Sequence, residues 1–330
     1  MTPLVEVNEV KKRFNLEAGF FAPVGRYVYA VNGLSFSIAE NESYGLAGES
    51  GCGKTTAARL LVRMYNYDSG SIRFKGNEIA AFKNDDLSAY RQKIKYVFQD
   101  PARSLNPRMN IYDVLTSGKR WAGIKNTAIH KNDENQLKQK AAAIIEEVGL
   151  SAADLERRPA EFSGGQRQRI SIARGLLAEP ELLICDEVVS ALDVSIQAQI
   201  LNLLMDIRRR RKLSFLFIAH DLKIACWFCD RIGIMYRGEM MEEAPAADLY
   251  RTAAHPYTQL LFSSVVNAAK TTASNATHSG TVRGEVRTTL EEIAGCSFAD
   301  RCPKATTRCH QEKPELQEIE KGHKLRCFCL

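Results

Sequence analysis

The chain is 330 residues long, 45% apolar and 25% charged, with a formal charge of +6. That balance is the one ordinary globular proteins have, and it excludes a disordered or fibrous chain. No apolar run approaches the roughly 18 residues of a membrane span, and the first residues carry no hydrophobic signal segment, so the expected compartment is the cytoplasm, with any membrane role exercised through a partner.

The mild basic excess suits work beside an anionic leaflet, whereas nucleic-acid binders concentrate their charge more. The one dense basic run, Arg208–Lys212, reads as a solvated helix end. No nucleic-acid partner is expected.

In chain order, alternating apolar residues over 4–10, 29–37 and 71–74 predict β-structure near the start. A strand over 42–46 runs into a glycine-rich loop, followed by a helix from Lys54 to about Met64. Tyr67-Asp68-Ser69-Gly70 reads as a turn. Helical periodicity governs about 104–178, including a charged surface helix over 136–148 with Ile144, Ile145 and Val148 inward. Strands return at 182–185 and 215–219, with a long helix over 194–209 between them. The pattern is a parallel α/β core interrupted by a helical insert. Residues 263–283 are rich in Ser, Thr, Ala and Asn and read as a linker to a cysteine-bearing tail. No internal repeat is present, so the chain holds one such core.

Gly48-x4-Gly53-Lys54-Thr55 is a P-loop. Its glycines let successive backbone N–H groups face phosphates, and the following helix N-terminus adds partial positive charge. The candidate ATP-binding set is Gly48, Glu49, Ser50, Gly51, Cys52, Gly53, Lys54, Thr55 and Thr56. Lys54 is expected on the β- and γ-phosphates and the Thr55 hydroxyl in a Mg²⁺ shell. Leu182–Glu187 is a buried strand ending in two carboxylates, where α/β sheets bind ligands. Asp186 is expected to hold Mg²⁺ and Glu187 to position and polarise the attacking water. Gln99, after another strand, can ligate Mg²⁺ or that water, and His220, at a strand end, can reach a γ-phosphate. Taken alone, either residue reads more readily as structural. Ser163-Gly164-Gly165-Gln166, a hydroxyl and glycines opening a helix, is a second anion acceptor.

In that order these motifs resemble the ABC-transporter ATPase family over roughly residues 4–250. The resemblance implies an ATP hydrolase with an antiparallel β subdomain and a helical subdomain at about 104–178. It also implies a head-to-tail dimer in which Ser163, Gly164, Gly165 and Gln166 reach the nucleotide on the partner's P-loop. Phe162 stands where Leu is usual, a change between bulky apolar anchors. Ser190-Ala191-Leu192-Asp193 matches the loop linking the two sites, which adds Asp193 to the ATP-binding set. Val188-Val189 replace the usual Pro-Thr after the candidate base, a departure that bears on loop stiffness. An aromatic before the P-loop stacks on adenine in this family. Phe14 fits the usual place, with Tyr27 and Tyr29 as competitors.

Gln99–Pro107 (Gln-Asp-Pro-x3-Ser-Leu-Asn-Pro), Ser190–Ser195 and His255-Pro256-Tyr257-Thr258 narrow the resemblance to the oligopeptide/dipeptide importer branch. The tail adds Gly-Cys-x-Phe-x2-Arg-Cys-Pro from Gly295. That branch implies an ATPase domain over 1–254 and a C-terminal region over 255–330 forming a small Cys-rich domain. The implied partners are a second ATPase subunit, usually a paralogue, two transmembrane permeases and an extracytoplasmic substrate-binding protein, with this chain peripheral on the cytoplasmic membrane face. Of nine cysteines, Cys296, Cys302, Cys309 and Cys327 have ligand-like spacing, with Cys329 a competing fourth. Four thiolates suit zinc or a 4Fe–4S cluster, or the thiols stay free; the resemblance points to the cluster. Cys52, Cys185 and the Cys226/Cys229 pair beside Trp227 and Phe228 read as packing residues. Two other readings stay open: a soluble ABC ATPase outside transport, and a redox- or metal-sensing module with a regulatory ATP site.

Overall fold

The computed structural model describes residues 2–15, 27–123, 131–270 and 293–329. The chain forms two compact units, one of 1–80 with 217–330 and one of 81–216.

The first unit opens with β1 (Val5–Asn15), β2 (Tyr27–Ile38), β3 (Ser43–Ala47), α1 (Lys54–Leu61), β4 (Ser69–Phe74) and β5 (Asn77–Glu78). β1 pairs antiparallel with β2, Val5 facing Ile38, and with β4, giving the sheet order β2-β1-β4-β5. The predicted turn over 67–70 is instead the entry to a strand: Asp68 is a bend, and Ser69 and Gly70 already belong to β4. Gly70 takes a positive φ of 87° there, a kink inside a strand that only local sequence made resemble a reversal.

The second unit holds α2 (Asn84–Lys93), β6 (Ile94–Val97), α3 (Pro101–Ser104), α4 (Ile111–Gly123), α5 (Lys131–Glu147), α6 (Gly164–Leu176), β7 (Leu182–Asp186) and α7 (Val194–Arg211). β6 and β7 run parallel. Leu182, Leu183, Ile184 and Cys185 are fully buried, as the unbroken apolar run requires of a strand covered on both faces. Ile145 and Val148 are fully buried and Ile144 nearly so. Arg208–Arg211 close α7, with Lys212 in a left-handed cap, as a basic helix end should.

At β8 (Ser214–Ala219) the chain leaves the second unit and re-enters the first, continuing through α8 (Leu222–Phe228), β9 (Arg231–Tyr236), β10 (Glu239–Pro245), α9 (Ala246–Thr252), α10 (Pro256–Lys270), α11 (Thr307–Gln311), β11 (Gln317–Glu320) and β12 (His323–Leu325). Here β3 pairs parallel with β9, and the order continues β9-β10-β12-β11, all antiparallel. Residues 263–270, read as linker from composition, belong to α10 instead. Pro256 sits at the start of that helix, where its missing N–H costs nothing, and the helix's own Tyr257 and Phe262 are buried. Residues 271–283 of that expectation lie outside the described residues. Trp227 is 55% exposed, so of the neighbours expected to pack Cys226 and Cys229 only Phe228 is in the core.

The β9–β10 hairpin escaped the sequence reading for a physical reason. β10 carries Glu239, Glu242 and Glu243, which look like surface residues yet are 2%, 0% and 1% exposed. Buried carboxylates persist only when paired. Lys313 pairs with Glu239 at 2.6 Å, His323 Nε2 with Glu242 at 2.7 Å, and Arg231 with Glu243 at 2.6 Å. The Ala254 and His255 N–H groups also donate to Glu242. The C-terminal region is thus keyed onto β10 by charge. His323→Ala is expected to destabilise the protein by about 2 kcal/mol, because it strips one partner from a buried carboxylate; a lower Tm checks this.

Candidate functional site

The P-loop lies in the first unit, between β3 and α1. Two of its glycines are obligatory. A Cβ on Gly48 would meet the Met235 carbonyl oxygen at 2.2 Å, and one on Gly53, at φ 106°, would meet the Ala30 carbonyl oxygen at 2.1 Å. The loop therefore presses its backbone against two strands and presents its inner side to a ligand. Lys54 is only 4% exposed, and its ammonium donates to the carbonyls of Gly48 (2.8 Å) and Glu49 (3.0 Å). Thr55 and Thr56 follow on the first turn of α1, half-buried. Ser50 and Gly51 are exposed at the loop's crest. Cys52 is buried, and burial pushes its thiol upward even with Lys54 beside it. It is a packing residue and no nucleophile.

The carboxylates lie in the second unit. Asp186 ends β7 and accepts a 2.5 Å bond from the Tyr96 hydroxyl. Glu187 accepts a 2.7 Å bond from the Gln99 amide. Gln99 and Glu187, chosen from separate stretches of sequence, therefore meet side chain to side chain. Glu187 has a positive φ of 51°, a left-handed backbone that costs free energy for a non-glycine residue and concentrates at functional positions. Val188 and Val189 are 2% and 6% exposed, so apolar burial stiffens the loop where Pro-Thr is usual. Gln197 donates to the carbonyls of Val189 (2.9 Å) and Leu192 (3.0 Å), and Ser190 donates to that of Glu187 (2.9 Å). Asp193 then precedes α7, and Val194 is 81% exposed.

In the same unit, Ser163 caps α6. Its backbone N–H donates to the Gln166 side-chain oxygen (2.9 Å), while its hydroxyl oxygen accepts from the Gln166 N–H (3.3 Å). This capping box fixes the first turn and leaves Ser163 and Gly164 exposed at the positive end of a 13-residue helix. Phe162 is buried, with the Arg157 guanidinium 4.4 Å from its ring centroid.

The aromatic candidates are in the first unit. Phe14, half-buried on β1, meets Tyr65 edge-on at 5.2 Å, with the Lys12 ammonium over its ring. The Arg13 guanidinium covers Tyr27 at 4.4 Å, and Tyr29 is half-buried on β2. His220 follows β8 and is exposed.

Residues 31–190 match the family model described as ABC transporter, and 241–309 match that of the oligopeptide/dipeptide transporter C-terminal region. The oligopeptide transport ATP-binding protein AppF of Bacillus subtilis (strain 168) is 41% identical over 325 residues, covering 98% of this chain and 96% of AppF. The chain belongs to the ABC-transporter ATPases, in the oligopeptide/dipeptide importer branch. Its fold is the ABC ATPase cassette. The cbiO1 structure from Clostridium perfringens, part of the ABC transporter complex cbiONQ, superposes with a TM-score of 0.63 at 21% identity, over 83% of this chain and 96% of cbiO1. The dimeric cassette MJ0796 bound to ADP and Pi gives 0.62 at 23% identity, over 73% of this chain and 98% of MJ0796.

In this ABC ATPase the C-terminal region brings five cysteines to one small cavity. Cys296, Cys302, Cys309, Cys327 and Cys329 line it with His255. Among the described residues no three His, Cys, Asp or Glu side chains are placed to hold a single metal ion. Burial pushes the Cys296 thiol up to about 11, with the neighbouring cysteines adding to it, and raises Cys302 and Cys327. Burial acts the same way on Cys309, but bonds from Thr306 and Cys329 outweigh it and lower that thiol. His255 Nδ1 accepts from the Tyr257 N–H (3.0 Å), which leaves the proton of the neutral ring on the buried Nε2. Five thiols around one cavity supply the soft donor set that either a zinc ion or an iron–sulfur cluster takes.

Sequence reasoning missed Tyr96 and gave His255, Tyr257 and Arg301 no role. Tyr96 is adjacent in sequence to the Val-Phe-Gln run, and the other three sit inside motifs that were recognised as signatures.

Proposed function

We propose that this chain powers the import of peptides or related small solutes delivered by an extracytoplasmic binding protein. The observation that carries the reading is a complete ATPase motif set joined in one chain to the oligopeptide/dipeptide C-terminal region. AppF, named for oligopeptide transport, supports the cargo class. The chain works peripherally on the cytoplasmic membrane face, and among the described residues no helix is long and apolar enough to cross a membrane. Its ATPase domain runs over 1–254, with the helical subdomain at about 104–178 and a C-terminal region over 255–330.

The family motifs support the following roles. Gly48–Thr56 cradles the phosphates, Lys54 neutralises the β- and γ-phosphates, and Phe14 supports the adenine. Thr55, Gln99 and Asp186 would hold Mg²⁺, which would supply charge neutralisation at the transferred phosphoryl group. Tyr96 fixes the Asp186 carboxylate through its hydroxyl. Glu187 orients the attacking water and takes its proton as the bond from Pγ to the bridging oxygen breaks; Gln99 aims that carboxylate. His220 donates to the γ-phosphate. Ser163, Gly164, Gly165, Gln166 and Asp193 act across a dimer, an arrangement that the dimeric MJ0796 cassette supports. In the second unit a groove lined by Tyr96, Phe98, Leu115, Gly118 and Arg174 lies beside the Gln99 segment and is suited to receive a permease's cytoplasmic helix.

Cys296, Cys302, Cys309 and Cys327 would hold a 4Fe–4S cluster, with Cys329 and His255 lining the same cavity. The group would anchor a tail with few apolar residues of its own. Anaerobically purified protein is expected to contain iron and acid-labile sulfide and to absorb in the visible, and Cys302→Ser to lose all three. Zinc or bare thiols would overturn the cluster.

The function is tested in vesicles holding this chain with its permeases and second ATPase. Peptide-loaded binding protein is expected to raise ATP turnover several-fold and drive peptide uptake. Turnover indifferent to the binding protein would sink the importer reading.

A further inference from the structure

Residue 49 of the P-loop is variable in chemical terms: the phosphate cradle needs its backbone, not its side chain. Here Glu49 is held at three points by groups within the first unit. Its carbonyl accepts from Lys54 at 3.0 Å. Its backbone N–H donates to the Tyr257 hydroxyl at 2.9 Å. Its carboxylate takes both arms of Arg301, Nη1 to Oε2 at 2.7 Å and Nη2 to Oε1 at 2.9 Å. Tyr257 and Arg301 both come from the C-terminal region, more than 200 residues away in sequence.

The holder is itself rigid. Arg301 is 9% exposed and also donates to the Tyr236 hydroxyl at 3.2 Å. Its guanidinium lies 5.6 Å from the Tyr236 ring centroid and 5.9 Å from that of Phe298. Tyr236, Tyr257 and Phe298 are all fully buried and meet one another with centroids 4.7 to 5.3 Å apart. The Tyr257 backbone is tied in turn to His255 Nδ1. A bidentate arginine–carboxylate pair of low exposure is the strong, directional form of an ion pair, and an aromatic triad beneath it removes the freedom that would blunt it.

We propose that Arg301 and Tyr257 are positioning residues for ATP binding: through Glu49 they set the first turn of the P-loop and so the place of the Lys54 ammonium. The C-terminal region then belongs to the nucleotide-binding machinery of this chain. A phosphate cradle works by preorganisation, so a turn that must be ordered by the ligand binds it more weakly. The idea rests on the P-loop being the nucleotide cradle, which Lys54→Ala tests separately by abolishing nucleotide binding.

The experiment measures MgATP affinity, and KM and kcat for hydrolysis, on the full chain. Glu49→Gln, Arg301→Gln and Tyr257→Phe are expected to weaken affinity about three- to tenfold, with KM rising more than kcat falls. Arg301→Lys is expected to restore only part of the loss, since lysine keeps the charge and loses the fork. The double variant Glu49→Gln/Arg301→Gln is expected to be no worse than the weaker single. Tyr257→Phe removes one oxygen from a packed ring, so it keeps the test valid even where Arg301→Gln loosens the C-terminal region. Wild-type affinity in folded Glu49→Gln and Tyr257→Phe proteins, or full independence of the two substitutions in the double variant, overturns the proposal.

Discussion

Replacing Glu187 with glutamine is expected to lower ATP turnover by about 10²- to 10³-fold, the range removal of a general base commands. Nucleotide affinity is expected to hold. The geometry separates the two effects. Glu187 stands one residue past the buried end of β7, in a left-handed backbone, and its carboxylate is aimed by the Gln99 amide at 2.7 Å. Glutamine has the same shape but cannot take a proton from water. It also turns a donor–acceptor pair with Gln99 into two amides, which can still bond after one flips. The fold around the site is therefore preserved while the proton acceptor is lost. The readouts are kcat under saturating MgATP and Kd for a fluorescent ATP analogue. Turnover within a few-fold of wild type would remove Glu187 from its assigned role and return the ATP site to a regulatory one.

What the sequence disclosed was local. The glycines of the P-loop, the apolar run ending in Asp186-Glu187 and the Ser163 cap are each contiguous, and each follows from the conformation of a few adjacent residues. Their elements came out within a few residues of the expected bounds, as Val194–Arg211 does. What stayed hidden depends on partners far along the chain. The burial of Glu239 and Glu242 makes sense only once Lys313 and His323 are present to pair with them. The Glu49–Arg301 pair spans 252 positions, and no periodicity encodes such a distance. The C-terminal half of α10 failed differently. Ser, Ala and Asn over 263–270 are neutral enough for linker or helix, and Pro256 with buried Tyr257 and Phe262 decided between them. Motifs are legible where chemistry is local, and tertiary ion pairs are not.

The second large effect concerns dilution. Ser163 and Gly164 are exposed at the N-terminus of α6, with a capping box holding the turn that would meet phosphate. An anion acceptor of this kind serves its own chain's nucleotide or another's, and the family assigns it to another's. Turnover per copy of the purified chain is then expected to fall in proportion to concentration once copies are diluted below their dimer Kd, whereas ATP binding to the P-loop is not. A Cβ on Gly164 would meet only the Leu192 side chain, at 3.8 Å, so Gly164→Asp is tolerated by the fold. It places a carboxylate where the γ-phosphate is to be received and is expected to lower turnover about 100-fold. Lys54→Ala disables the other half of the same site. Mixed in equal amounts, the two inactive proteins are expected to recover about a quarter of wild-type activity, because half of the dimers then contain one site with both an intact P-loop and an intact serine–glycine turn. Recovery of that kind cannot come from isolated copies. Turnover that is flat on dilution, together with a mixture as inactive as its parts, would place Ser163 and Gly164 outside the reaction and leave each copy to hydrolyse ATP alone.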